Sequence, residues 1–248
     1  MIVACSTLCF GRHKLDEALR VIREMHFAKA DLAIHAVGPH LRPAEVAGDV
    51  GRVAQKLKAS NVQFAAFHLE FDPPDGPDVR EQLKGICRLA RLLAVPVLTV
   101  AAAPTGADQT VEVKRLTDWV KIAEGDGVIL TVETRTGTMT ENATEAIELC
   151  RNVPGLGLTL DPTHYLTVPH DTIYPHVRHV RLRDSGKGPN QYQVRIGQGE
   201  IEYGKIVSQL ERCGYDRTLT VDVRDIPDGP FPIDSEVRKL KFLLESLV

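Results

Sequence analysis

The chain alternates short apolar runs with amphipathic patterns from end to end, and it does so eight times. The strand-like runs are "IVACSTLCF" (2–10), "ADLAIHAV" (30–37), "QFAAFHLEF" (63–71), "VPVLTVAA" (95–102), "VILTVETR" (128–135), "LGLTLDPTH" (156–164), "RHVRLRDS" (178–185) and "TLTVDVR" (218–224). Between them, segments such as "LDEALRVIREMHF", "VREQLKGICRLARLLA" and "TVEVKRLTDWVKIAEG" repeat Leu, Ile and Val at the three-and-four spacing of a helix packed on one side. Eight strands, each followed by a helical or connecting segment, predict a single (β/α)8 TIM barrel over residues 1–248. An open doubly wound sheet would need edge strands, and none of the eight reads as short or charged enough to be one. Such a sheet usually carries a glycine-rich phosphate turn after its first strand, which "CFGRHKLDE" does not supply. The run "IGQGEIEYG" has Gly197 and Gly199, but Glu202 stands where a third glycine would be needed.

Composition narrows the partners. A net charge of −3 gives no electrostatic reason to expect nucleic acid or an anionic membrane surface, and a single Trp argues against a base-stacking platform. No apolar run approaches the roughly 20 residues that span a bilayer. The N-terminal "MIVACSTLCFGRHK" lacks a basic stretch before its apolar part, so it reads as a first strand rather than a signal peptide. Five cysteines without metal-type pairing suggest a reducing compartment, and a cytoplasmic location is expected. Read within one strand, Cys5 and Cys9 would lie about 13 Å apart, too far for a disulfide.

Barrel enzymes place their sites at the C-terminal strand ends. Side chains alternate along a strand, so strand five turns Thr131, Glu133 and Arg135 inward, strand six Thr159 and Asp161, and strand eight Thr220, Asp222 and Arg224. The seventh strand, "HVRHVRLRD", turns His179, Arg181 and Arg183 to the same side. Strand three adds His68 and Glu70, and His164 follows Asp161 by three residues. Buried acids are almost never left unpaired, so Glu133, Asp161 and Asp222 need a cation, either a divalent metal or these arginines. His35 and His179 read as deeper core histidines with satisfied partners.

"LGLTLDPTHY", "HVRLRDSG" and "IGQGEIEYGKIVSQLERCGYDRTLTVDV" resemble the sugar-phosphate isomerase/epimerase family of xylose-isomerase-like TIM barrels. That superfamily also contains abasic-site nucleases. The glutamate of "VILTVETR" is similar to the family's strand-five Glu, "DPTH" to its Asp-x-x-His, and "GQGEIEYGKI" to its glycine-containing stretch after strand seven. The resemblance implies one divalent metal (Mn, Mg or Zn) held by Glu, Asp, His and Glu. It also implies proton transfer through an enediolate by the two Glu. Carried over, the metal ligands are Glu133, Asp161 and Asp222 and the catalytic pair is Glu133 and Asp222; in an isomerase, His68, Arg135, His164, Arg181 and Arg183 are expected to bind the substrate.

Two positions depart from the family pattern. Residue 222 is Asp where the family has Glu, and residue 181 is Arg where the family has its ligand His. Arg stays protonated and offers no lone pair. A guanidinium about 5 Å from a divalent ion is repelled by roughly 7 kcal/mol at an effective dielectric near 20. The balance therefore favours a metal-free site in which Arg181 stabilises the enediolate. Three readings follow: a sugar or keto-sugar isomerase/epimerase, a non-catalytic barrel binding an anionic sugar or sugar acid, and a nuclease. The nuclease would need further histidine ligands, which neither "LTVAAAP" nor "GKGPNQYQVRIGQG" provides. The long connection carrying the latter is expected at the rim of the site.

Overall fold

Leu98, Leu130, Leu158, Val180 and Leu219 are all fully buried on their strands, while the residue after each (Thr99, Thr131, Thr159, Arg181 and Thr220) is polar and also buried. That alternation separates a helix-facing apolar layer from a barrel interior rich in hydroxyl and charged groups. The computed structural model describes residues 1–167, 170–188, 191–226, 229 and 231–248. The strands are β1 (Ile2–Ser6), β2 (Lys29–His35), β3 (Gln63–Glu70), β4 (Val97–Val100), β5 (Ile129–Glu133), β6 (Gly157–Leu160), β7 (Val177–Leu182) and β8 (Thr218–Val221). They form a closed barrel in sequence order, with β8 pairing in parallel with β1. Closure removes every sheet edge, as the uniform apolar strands imply.

The helices are α1 (Leu15–Glu24), α2 (Pro43–Gly48), α3 (Val50–Ala59), α4 (Val79–Leu92), α5 (Gln109–Gly125), α6 (Ala143–Asn152), α7 (Tyr203–Arg212) and α8 (Ile233–Glu245). They are not distributed one per strand. Two helices join β2 to β3, whereas the β6–β7 connection holds only 3-10 turns at Pro162–His164 and Tyr174–His176 among the described residues. Each fully buried Leu, Val or Phe in the layer between helices and strands contributes about 1.5–3 kcal/mol relative to exposure. No helix among the described residues is long and apolar enough to cross a membrane.

The strands are shorter than the apolar runs. β1 ends at Ser6, whose hydroxyl accepts from the amide of Leu8 (3.2 Å) and starts a 3-10 turn over Thr7–Phe10. That turn brings the Cys9 thiol back against Cys5, so the separation read from a continuous strand does not hold. All five cysteines are free.

Inside the barrel the polar layers are ordered. Thr99, Thr131 and Thr159 form a triangle of hydroxyl hydrogen bonds of 2.7 to 3.1 Å. Across from it, His179 Nε2 meets Asp31 Oδ2 at 3.0 Å, linking β7 to β2 through the barrel axis. Barrel interiors are ordinarily filled by branched apolar side chains. This one is hydrogen-bonded instead, and it supports the charged layer above.

Candidate active site

Arg181, the fifth residue of β7, is fully buried at the centre of that layer. Its Nη1 lies 3.3 Å from Glu133 Oε1, and its Nη2 lies 2.9 Å from Asp222 Oδ1 and 3.4 Å from the Ser6 hydroxyl. Its Nε is 3.6 Å from Asp31 Oδ2. Two residues on, Arg183 bridges Asp222 Oδ2 (3.1 Å) and Asp161 Oδ2 (2.8 Å), and donates to the Thr163 hydroxyl at 2.7 Å. Arg224 closes on Asp222 Oδ2 at 3.2 Å. Asp161 Oδ1 accepts from the Thr163 amide (3.1 Å) and hydroxyl (2.5 Å).

Electrostatics follow from this packing. Burial alone raises the Asp222 carboxyl, but Arg181, Arg224 and Arg183 outweigh it and hold the group well below the usual carboxylate range. Burial also opposes ionisation of Glu133, yet His68, Arg181 and Arg224 bring it well below its ordinary value. Burial likewise works against the Arg181 and Arg224 cations, and it is outweighed only by several neighbours together: Asp222, Asp31 and Glu133 around Arg181, and Asp222, Glu133, Tyr192 and Asp161 around Arg224. Burial pushes His164 down, partly offset by Asp161.

The remaining sequence-predicted residues sit around this cluster. His68 Nε2 is 3.7 Å from Glu133 Oε2, and His68 Nδ1 is 3.0 Å from His35 Nε2. His35 Nδ1 is 3.4 Å from Glu70 Oε2, and Arg135 Nη1 approaches Glu70 Oε1 at 3.9 Å. A continuous line of polar contacts therefore runs from buried Glu133 to half-exposed Glu70. His164 is held by Tyr192, whose hydroxyl is 2.9 Å from its Nε2, and lies 3.8 Å from Asp161 Oδ2.

Several participants were not anticipated from the sequence. Asp31, a lone acid in the apolar strand "KADLAIH", pairs with both His179 and Arg181. The ring of Tyr192 covers the Arg183 guanidinium at 4.2 Å, a cation–π contact. Gln193 brackets the Arg224 backbone, its side chain accepting from the amide (2.7 Å) and donating to the carbonyl (2.9 Å). Both residues belong to the long connection after β7, which packs onto the cluster; its Pro189 and Asn190 lie outside the described residues. The "GQG" stretch anchors that connection. Gly197 and Gly199 amides donate to Asp184 Oδ2 at 2.8 and 3.1 Å, and a Cβ at Gly199 would collide with the Asp184 carboxyl.

His35 differs from its expected place. It is buried with polar partners as expected, but it is the last residue of β2, directly opposite Glu70 in the register with β3, and so lies at the barrel mouth rather than deeper. Beside it a cleft of about 560 Å³ opens at the ends of β3 to β5, lined by Glu70, Arg135, Phe71 and Trp119 among others.

A sequence profile described as xylose isomerase-like TIM barrel matches residues 12–243, nearly the whole chain. The chain belongs to that family. Comparison with curated proteins by sequence gives no match. Among solved structures, this xylose isomerase-like barrel is similar to an IOLI protein with a bound zinc atom, with 16% identity over 100% of this chain and 98% of that one and a TM-score of 0.77. It is also similar to a D-allulose 3-epimerase from Methylomonas sp. (15% identity, 100% and 98% coverage, TM-score 0.76). A third is 3-keto-D-glucoside 4-epimerase, YcjR, from E. coli (14% identity, 99% of both chains, TM-score 0.73). At these identities the likeness is one of fold.

The residues at the family's ligand positions do not fit a divalent ion in this chain. Position 181 supplies a guanidinium in place of a lone pair. Both oxygens of Asp222 face arginines, Asp161 is shared between Thr163 and Arg183, and Glu133 is split between Arg181 and His68. An ion there would have to displace the cation that already neutralises the cluster.

Proposed function

We propose that the barrel is a sugar or keto-sugar isomerase/epimerase in which Arg181 takes the electrostatic role of the family's metal. The observation that carries this reading is one guanidinium fixed between two carboxyls, 3.3 Å from Glu133 and 2.9 Å from Asp222. A carbonyl oxygen placed at Arg181 would gain negative charge as the adjacent C–H proton leaves. A preorganised cation in a site closed to water stabilises that charge well. Glu133 takes the carbon-bound proton, and the C–H electron pair moves toward the carbonyl oxygen to give the enediolate.

The ionised state of both carboxyls bears on the outcome. Two-base inversion needs one of them protonated at the start. A 1,2-shift needs neither: Glu133 returns the same proton to the neighbouring carbon, while Asp222 carries the hydroxyl proton from one oxygen to the other. Two ionised carboxyls therefore favour isomerisation over inversion within this reading. His164 and Arg135 would hold hydroxyl groups, and the apolar wall of Phe71 and Trp119 suits a sugar face.

The test is incubation with a panel of ketoses and aldoses in deuterated water, scored for exchange at the carbon next to the carbonyl and for isomer formation. Replacing Glu133 by Gln should lower the rate by about 10²–10⁴-fold. No exchange and no product across the panel, with and without added Mn²⁺, Mg²⁺ or Zn²⁺, overturns the proposal. A second reading, a barrel that binds an anionic sugar without turnover, is favoured by Arg135, which lines the cleft half-exposed with its long contact to Glu70. Thermal stabilisation by sugar acids without chemistry would select it.

A further inference from the structure

Strands β2 and β3 carry a second group of donor atoms beside the carboxyl–guanidinium cluster. His68 and Glu70 are two residues apart on β3, so they share one face. The parallel register sets His35 opposite Glu70. One donor atom of each of the three residues lies within 4.8 Å of the other two. The contact between His35 Nε2 and His68 Nδ1 is 3.0 Å. Two imidazole nitrogens at that distance share either one proton or one cation.

We propose that His35, His68 and Glu70 bind one divalent transition-metal ion of the zinc class. Two imidazoles and a carboxylate form a ligand set that holds such ions while leaving a coordination position open. The outer partners suit the assignment as well. Ligating histidines characteristically donate their second ring N–H to a carboxylate, which fixes the tautomer. Here the second nitrogen of His68 faces Glu133 at 3.7 Å. The His35 ring is also held from behind. Gly38 packs so closely that a Cβ there would lie 2.8 Å from His35 Cβ.

The contrast with the family's ligand positions decides where an ion would go. There the arginines already occupy the carboxyl oxygens; here the imidazoles face each other and a half-exposed carboxylate. Of the three residues Glu70 lines the neighbouring cleft, which Arg135 also bounds, so the carboxylate is the side from which an ion would enter. The site does not depend on the isomerase reading, because binding is measured without turnover.

The full chain, stripped with a chelator, is titrated with Co²⁺ followed by visible absorption and with Zn²⁺ followed by calorimetry. The expected result is saturable binding of one equivalent, with Zn²⁺ displacing Co²⁺. His35→Asn, His68→Asn and Glu70→Gln should each weaken Co²⁺ binding by more than the roughly 100-fold that a lost outer-shell partner costs, while Glu133→Gln should cost about 10–100-fold. Glu70 is half-exposed, so E70Q keeps the test decisive if a buried histidine variant fails to fold. Absence of saturable binding to the wild-type chain overturns the proposal. So does E70Q binding with wild-type affinity, or an ion lost in Asp161→Asn and retained in H35N.

Discussion

The two sides of the barrel mouth neutralise buried charge in different ways. From β5 to β8, Arg181, Arg183 and Arg224 sit among Glu133, Asp161 and Asp222, and the charges are permanent on both sides. On β2 and β3 the groups are His35, His68 and Glu70, joined by contacts of 3.0 and 3.4 Å with no guanidinium between them. The first arrangement is locked by electrostatics and covered by Tyr192. The second opens to a cleft. One barrel end thus combines a rigid, permanently ionised half with an adaptable half, and the two meet at the contact between Glu133 and His68.

The largest difference between the halves should appear on removing one group from each. Arg181→Met leaves Glu133 and Asp222 buried without their shared cation, and breaking a buried ion pair in this way costs about 3–5 kcal/mol. His35→Asn loses neutral hydrogen bonds worth about 0.5–1.5 kcal/mol each. Urea denaturation should therefore show a much lower midpoint for R181M than for H35N. Equal losses would mean that the arginine side is not the locked half.

Acid should separate the halves by pH window, read on chelator-stripped protein. Burial, together with His68, Arg181 and Arg224, lowers His35 from its ordinary value of 6.5 to about 2. Below about 6.5 the unfolded imidazole takes a proton that the folded one refuses, so stability falls as pH falls from there toward 2. Each such proton contributes a slope of about 1.4 kcal/mol per pH unit. Glu133 and Asp222 are depressed carboxyls whose contribution is fully present above their unfolded values, about 4, and is lost only below that. H35N should flatten the stability profile between about 4 and 6.5 and leave the steeper acid limb in place. An unchanged profile would show that His35 does not set the upper window.

The rigid half was far more legible in the sequence than the adaptable one. Period-two alternation in β5, β7 and the segments ending at Asp161 and Asp222 turns the acids and arginines inward, and that pattern needs no knowledge of register. His35 could not be placed the same way. Its height depends on how β2 is staggered against β3, and the ladder shifts between Ala30 and Asp31. Asp31 faces His179 and Arg181 across the barrel, a contact 148 residues away in sequence to its imidazole partner. Tyr192 and Gln193 reach the cluster from a connection whose path carries no periodic signal. The apolar runs also continued past the true strand ends, because Thr7–Phe10 is as buried and apolar as a strand while turning as a 3-10 helix.

A smaller effect should come from the cover over the rigid half. Tyr192→Phe removes the 2.9 Å bond to His164 while keeping the ring over Arg183, a loss of about 0.5–1.5 kcal/mol. Tyr192→Leu removes the cation–π contact as well, adding about 0.5–2 kcal/mol. If the two variants have the same melting point, the ring does not stabilise the buried guanidinium.

The smallest effect on stability is expected at Arg135, and it tests whether burial rather than residue type separates the halves. Arg135 is an arginine facing a carboxylate, as Arg181 is. Its contact with Glu70 is 3.9 Å long, however, and the two side chains are 42% and 40% exposed. Exposed pairs of this kind contribute about 0–1 kcal/mol, because water screens the charges and both long side chains lose freedom in meeting. Arg135→Gln should leave the denaturation midpoint almost unchanged where Arg181→Met lowers it strongly. In the same variant, stabilisation by an anionic sugar should disappear if Arg135 is the cation that recognises it. A large stability loss in R135Q would place Arg135 within the rigid network and move the boundary between the halves from the Glu133–His68 contact out to the cleft.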